Sequence, residues 1–312
     1  MADAPGGSSG LTRWQLYQQT SEQLWLEQAS FKTSWQELAS YWAPRRIRST
    51  ISDVNRGDRR TQLIFDSTPQ FALRTLQSGL HAGITSPARP WFKLSVPDPD
   101  LADAPDAKQW LHTVTQRMQT VFLRSNLYNS LPILYGDIGC FATGGMAVLE
   151  DDKDLLRSYT YPLMSYAFGL DARGVATTFV REYNRTARQL IQEFGGPEGQ
   201  PLERGQDIQW GNFSTEVKQA WDTGHPERMF DCCWFVCPND EYNPRALSAK
   251  YSLPWKSAWF EKSKDWNAIT RRETVLRESG YRTFPFMCPR WDVVGEDTYG
   301  TDGPGWVALG DA

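Results

Sequence analysis

"STPQFALRTLQSGLHAGITSPARPWFKL", residues 67–94, joins a helix to an abrupt and heavily punctuated stop. Ala72, Leu76 and Leu80 recur four apart with Leu73 beside them, the spacing of one helix face. Asp66 or Thr68, with Pro69 at a first-turn position, caps a helix expected to reach about Ala82. Then follow Gly83, a Thr-Ser pair, Pro87 and Pro90 with Arg89 between them, and two rings, Trp91 and Phe92. A pliable linker would not need two residues of fixed φ bracketing an arginine.

Upstream, residues 11–42 read as one long helix, because Trp14, Leu16, Leu24, Phe31, Trp35, Leu38 and Trp42 recur at threes and fours before Pro44. Downstream, "SVPDPDLADAPD" reads as an acidic, proline-rich loop. Asp106 caps a helix through Asn126 with Trp110, Val114, Met118 and Val121 on one face, and residues 127–139 continue helically. "CFATGGMAVLEDD" is a turn and a strand. "YTYPLMSYAFGLDARGVATTFVREYNR" is a β-hairpin joined at "DARG", and Thr186 to Phe194 is a short helix closed by Gly195-Gly196. "MFDCCWFVCP", "SAWFEKS" and "TVLRES" read as strands. Helices first and strands after predict an α+β fold with a mainly antiparallel sheet. The expected organisation is a disordered 1–10, a mainly helical part 11–143 and a β-rich part 144–312.

The 312 residues, 40% apolar, can fill real cores, and a net charge of −4 does not describe a protein that coats polyanions along its whole surface. Five cysteines, Cys140, Cys232, Cys233, Cys237 and Cys288, are odd in number, with two adjacent. They make no disulfide framework and fit reduced thiols in a protein made in a cytosol. The start "MADAPGGSSG" has neither the basic nor the apolar part of a signal peptide, and no uncharged apolar run approaches the roughly 18 residues of a membrane span. A soluble protein without a membrane partner is expected.

Tests for chemistry fail one after another. No Gly-Lys dipeptide exists, so no phosphate loop does, and "ATGG" at 142–145 is too short for a dinucleotide fingerprint. The best metal guess, His225 with Cys232, Cys233 and Cys237, has one Cys-x₃-Cys inside a strand rather than two separated ligand pairs, and buried cysteines packing as small hydrophobes is the preferred reading. Catalytic residues, cofactor and metal are all expected to be none.

One cluster stands out. Residues 45–60 hold six arginines, Arg45, Arg46, Arg48, Arg56, Arg59 and Arg60, against Asp53 and Asp58. They could hold nucleic-acid phosphates or an acidic neighbouring subunit, or be a solvated loop with its guanidinium heads in water. Aromatics at Trp255 and Trp259 could be a sugar-stacking platform, although packing is the simpler reading.

The order of motifs then adds what no single motif does. "WQELASYWAPRR", "FDSTPQFALRTLQSGLHAGITSPARPWFKL", "WLHTVTQRM…SNLY", "DIGCFATGGMAVLEDD", "EFG", "ESGYRTFPFMCPRW" and "GEDTYGTDGPGWVAL" follow one another as in the head-to-tail connector (portal) proteins of short-tailed bacteriophages, which this chain resembles over 11–312, more vaguely between 197 and 260. The resemblance implies the wing region of a portal subunit, in a dodecameric ring at a unique capsid vertex of the virion, made in the host cytoplasm. It also implies double-stranded DNA, the terminase large subunit, the major capsid protein and tail adaptor proteins as partners, with packaging energy supplied by the terminase. A phage tail-associated hydrolase or sugar-binding protein is the alternative.

In the family a stem helix, a clip, a second stem helix and a crown come next. They are absent after residue 312, so the sequence is either a fragment or a short form, and channel-lining residues are not among those given. The stiff loop then has two readings: a subunit interface formed by Trp42, Arg89, Trp91 and Phe92, burying upwards of about 2,000 Å² with its ring neighbours, or an internal tie between two layers of the wing.

Overall fold

The computed structural model describes residues 13–48, 57, 60, 64–262 and 275–311. The expected disorder of 1–10 therefore falls outside the described residues, as do Arg56 and Arg59. The chain begins with α1 (Arg13–Tyr41), α2 (Thr68–Ile84), α3 (Pro99–Asp103), α4 (Pro105–Arg124) and α5 (Leu127–Phe141). Strands β1 (Met146–Asp151), β2 (Leu155–Thr160), β3 (Tyr166–Leu170) and β4 (Ala176–Thr186) follow, then α6 (Ala187–Phe194) and α7 (Thr215–Asp222). The remainder is β5 (Met229–Pro238), α8 (Ala249–Ser252), β6 (Trp255–Glu261), β7 (Val275–Tyr281), β8 (Phe286–Met287) and α9 (Pro304–Val307). Two antiparallel sheets result, ordered β3-β4-β5-β6-β7 and β2-β1-β8, so the α+β class is the observed one.

Element order changes near residue 143, but compactness follows other lines. One unit comprises Met1–Thr33, Arg48–Arg56 and Met164–Phe284; the second comprises Ser34–Ile47, Gly57–Leu163 and Pro285–Ala312.

In the first unit both faces of the five-stranded sheet are covered. Successive strand residues point to opposite faces. One face gathers Ala167, Val180, Cys233, Phe235, Ala258 and Phe260 under Tyr17 and Leu24 of α1, with the Tyr17 ring 5.2 Å from Phe235. On the other face Trp234 and Trp259, register partners on β5 and β6, stack at 5.5 Å, and Phe194 of α6 lies 6.4 Å from Trp259. This is why "MFDCCWFVCP" reads as a nearly continuous apolar run: β5 has no solvent face along most of its length. The helix α6 begins at a capping box, Gln189 N donating to Thr186 Oγ1 at 3.2 Å and Thr186 N to Gln189 Oε1 at 3.1 Å.

The buried stripe of α1 differs from the expected one. Tyr17, Ser21, Leu24 and Gln28 are buried in the first unit, whereas Leu16 is exposed. Two members are polar, which hides the stripe from a hydrophobic count; Gln28 Nε2 donates to the Tyr166 carbonyl at 2.7 Å. The later turns supply Trp35, Leu38 and Trp42 to the second unit, as their spacing predicts.

In the second unit α2 lies on α5 because α5 is thin there. A Cβ added at Gly139 would meet Leu76 at 2.9 Å, and one at Gly136 would meet Gln77 at 3.3 Å. Three expectations are corrected. The N-cap of α2 is Ser67; Asp66 accepts from Thr68 N at 3.1 Å and Thr68 Oγ1 at 2.8 Å, and the helix runs to Ile84. The N-cap of α4 is Ala104, with Pro105 fixing the first helical φ and Asp106 inside the first turn, and part of the acidic loop is α3. The run "YTYPLMSYAFGL" splits: Tyr159 and Thr160 belong to β2, paired with β1, and only from Tyr166 does the chain enter the other sheet.

Candidate functional site

The stiff loop makes contacts within the second unit. Thr85 N closes α2 on the His81 carbonyl at 3.2 Å, and Arg89 Nη2 donates to the Ala82 carbonyl at 3.3 Å, placing a cation where the helix dipole favours one. Trp91 Nε1 donates to Tyr128 Oη at 3.0 Å, while its ring stacks at 6.1 Å on Phe122 and meets Phe92 edge-on at 4.9 Å. Thr85 Oγ1 shares hydrogen bonds with Tyr135 Oη at 2.9 Å and His81 Nδ1 at 3.2 Å. The loop thus binds α2, α4 and α5 together. Trp91 keeps 37% of its surface and Arg89 is exposed, whereas Trp42 is buried in its own unit.

Four of the sequence motifs meet in the second unit. Trp35 of α1 is fully buried and edge-on to Tyr299 at 5.2 Å. Trp291 N donates to the Ala142 carbonyl at 2.8 Å, Gly144 N to the Pro289 carbonyl at 3.0 Å, and Gly300 N to Thr143 Oγ1 at 2.9 Å. Arg290 Nη1 donates to the carbonyls of Asp297 and Thr298 at 3.2 and 3.4 Å. Gly300 and Gly305 touch the backbone of Ala142 and Cys140 where a Cβ would collide. The spacings of "WQELASYW", "CFATGG", "CPRW" and "TYGTDGPGW" are therefore packing constraints, and nothing local along the chain signals that they converge.

The arginine cluster separates. Arg46 Nε donates to Asp137 Oδ1 at 2.7 Å and its Nη2 to Asp137 Oδ2, a two-pronged ion pair to a buried carboxylate. Burial pushes the Asp137 carboxyl up to about 6, against the pull of Arg46. Arg48 falls in the first unit; Arg60 is half-buried; Arg45 is exposed. Arg45 and Arg46 line a hollow of about 460 Å³ in the second unit together with Arg74 of α2, which sequence reading missed because it stands 14 residues beyond the cluster in another element. Asp137 was missed too, being one carboxylate in an apolar helix.

The thiols are sequestered. Cys232 and Cys233, adjacent on β5, face opposite sides of the sheet, so they cannot ligate one ion with Cys237 and His225; among the described residues no group of three potential ligands stands close enough to hold a metal. All five cysteines are free, and burial raises their pKa values, that of Cys237 to about 12, which leaves little reactive thiolate.

Among the described residues the motifs are locked into one packing scheme. A family described as bacteriophage head to tail connecting protein matches residues 15–312. The chain belongs to this family. It is 42% identical over 288 residues to a portal protein of Salmonella phage epsilon15, covering 92% of this chain and 48% of that protein. It is 35% identical over 301 residues to a probable portal protein of Bordetella phage BPP-1, covering 96% and 49%. It thus spans about half the length of the curated relatives it matches. The resemblance read from the motif order is borne out.

Proposed function

We propose that this chain is structural material of a phage portal: the wing region of a ring, dodecameric by family resemblance, through which double-stranded DNA is packaged and ejected. The ring would sit at one capsid vertex between the major capsid protein and tail adaptor proteins, with the terminase large subunit supplying the energy. The observation that carries this reading is the family match along nearly the whole chain, to relatives that are themselves portal proteins. Exposure in the second unit supports it. No residue of α2 is buried, α4 buries only Thr115, and Phe71, Trp110 and Leu123 stand 61%, 64% and 58% exposed. Side chains of that kind suit an oligomer contact.

The alternative of a tail-associated hydrolase or sugar-binding protein has no observation in its favour. Trp259, offered for sugar stacking, is buried against Trp234, and Trp255 packs on Phe284 at 4.9 Å. Among the described residues no helix is long and apolar enough to cross a membrane. We assign the protein no catalysis of its own; purified material should hydrolyse neither ATP nor glycans above background. Immunogold labelling of purified virions with antibody raised against this chain tests the placement. Gold at a single vertex per particle is the expected result, and label spread over the capsid or along the tail would overturn it.

A further inference from the structure

We infer that the hollow formed by residues 42–46, α2 and α5 receives an acidic segment of another protein, a Glu or Asp carboxylate presented beside an apolar side chain. The hollow measures about 460 Å³ and is confined to the second unit. Its free donors are Arg45, Arg74, Gln70 and Gln77, and among the described residues none of the four has a hydrogen-bond or ion-pair partner. Among the described residues its one acid, Asp137, is already taken on both oxygens by Arg46. Two guanidinium charges are therefore uncompensated at one concave place, in a chain whose net charge is −4.

The rest of the lining selects the ligand. Trp42, Leu73 and Ile133 give an apolar floor, with Ile133 38% exposed. A carboxylate on a short aliphatic stem matches both parts: the stem lies on the floor and the oxygens meet the planar forks of arginine, a pairing that is geometrically specific and enriched where proteins meet. Duplex DNA fits less well. It binds through rows of phosphates on an extended basic surface and gains nothing from an apolar floor inside a hollow. This inference concerns the site's chemistry and holds whether or not the chain closes a ring.

The probe is a fluorescein-labelled, end-blocked peptide Glu-Leu-Glu-Glu-Leu-Glu, followed by anisotropy with the 312-residue chain at about 50 mM salt. Binding should weaken as salt rises. The variant Arg45→Gln/Arg74→Gln should lose about tenfold in affinity or more, with unchanged circular dichroism because both side chains are exposed and unpaired. Ile133→Glu, which supplies a resident carboxylate, should lose as much, whereas Arg173→Gln, on the β3–β4 turn of the first unit, should match the parent. Three results would each overturn the inference: equal binding of the Gln-for-Glu peptide, a double variant within about twofold of the parent, or a duplex of about 20 base pairs that binds more tightly than the peptide and loses its affinity in the same double variant.

Discussion

The two units handle their aromatic side chains in opposite ways. In the first, the rings lie on a sheet sealed on both faces: Phe179, Trp234 and Trp259 are buried, and Glu261, which goes inside with them, accepts from Ser214 N and Oγ at 3.0 and 2.5 Å. In the second, one tight knot of motif residues is buried while α2 and α4 carry Phe71, Trp110 and Leu123 out to solvent. Burial on both faces makes the first unit a self-contained scaffold. The second keeps a rigid centre and leaves apolar helix surface for something else to cover, which is the arrangement an assembly subunit requires.

The strongest way to break that contrast is to remove the centre of the second unit. Trp35→Ala should cost about 3–5 kcal/mol in urea denaturation, since the ring is fully buried on Tyr299. Phe179→Ala, equally buried in the first unit, should cost a similar amount. Hydrogen exchange read separately on peptides from 57–163 and 164–284 shows whether each loss stays in its own unit. A cost below about 1 kcal/mol for Trp35→Ala would mean that the motif knot is no core.

Asp137 gives a pH test confined to the second unit. Its folded pKa, about 6, lies above the ordinary carboxylate value of 3.8 because burial disfavours the charge. Between those values the folded chain holds a proton that the unfolded chain has lost. Stability from this group is therefore full below about pH 4, falls as pH rises to about 6, and is level above that. The fall should be at most about 3 kcal/mol, at roughly 1.4 kcal/mol per pH unit. Asp137→Asn should remove that slope when Tm is compared with the parent from pH 4 to 7; parallel curves would show that the carboxyl titrates normally.

Glycines sharpen the comparison within the second unit. Gly305→Ala should cost about 1–3 kcal/mol, because its Cβ would meet the Cys140 backbone. Gly79→Ala, in α2 with open space around it, should gain about 0.5–1 kcal/mol from helix propensity. Thermal denaturation of the two variants should shift Tm in opposite directions.

The smallest expected effect on folding is the most informative about assembly. Trp110→Ser should change stability by no more than about 0.5 kcal/mol, given its 64% exposure, while reducing incorporation into particles. Sedimentation of the variant beside particle counts separates the two outcomes, and normal incorporation would remove α4 from any contact surface.

Much of this was legible along the chain. The positions of α1, α2, α4 and α5, the β5 strand, the short α6 and the stop after α2 follow from periodicity and from Pro and Gly chemistry, which act over a few residues. The β2 strand escaped because Tyr159 and Thr160 run on into apolar residues that pair elsewhere, and nothing local marks where a chain leaves one sheet for another. The stripe of α1 was misjudged at Leu16 because Ser21 and Gln28, both buried, carry no hydrophobic signal.

By itself the sequence determined the α+β class, the stiffness of the Pro87–Pro90 loop and, through the order of its motifs, the family. These depend on local backbone preference and on the linear arrangement of residues, both of which are properties of a string. Only the tertiary structure decided that Arg89 caps α2, that Arg46 is neutralised by Asp137, and that Arg45 shares a hollow with Arg74 of another element. A charge acquires its meaning from what lies within a few ångströms of it, and folding brings those neighbours from positions tens of residues away.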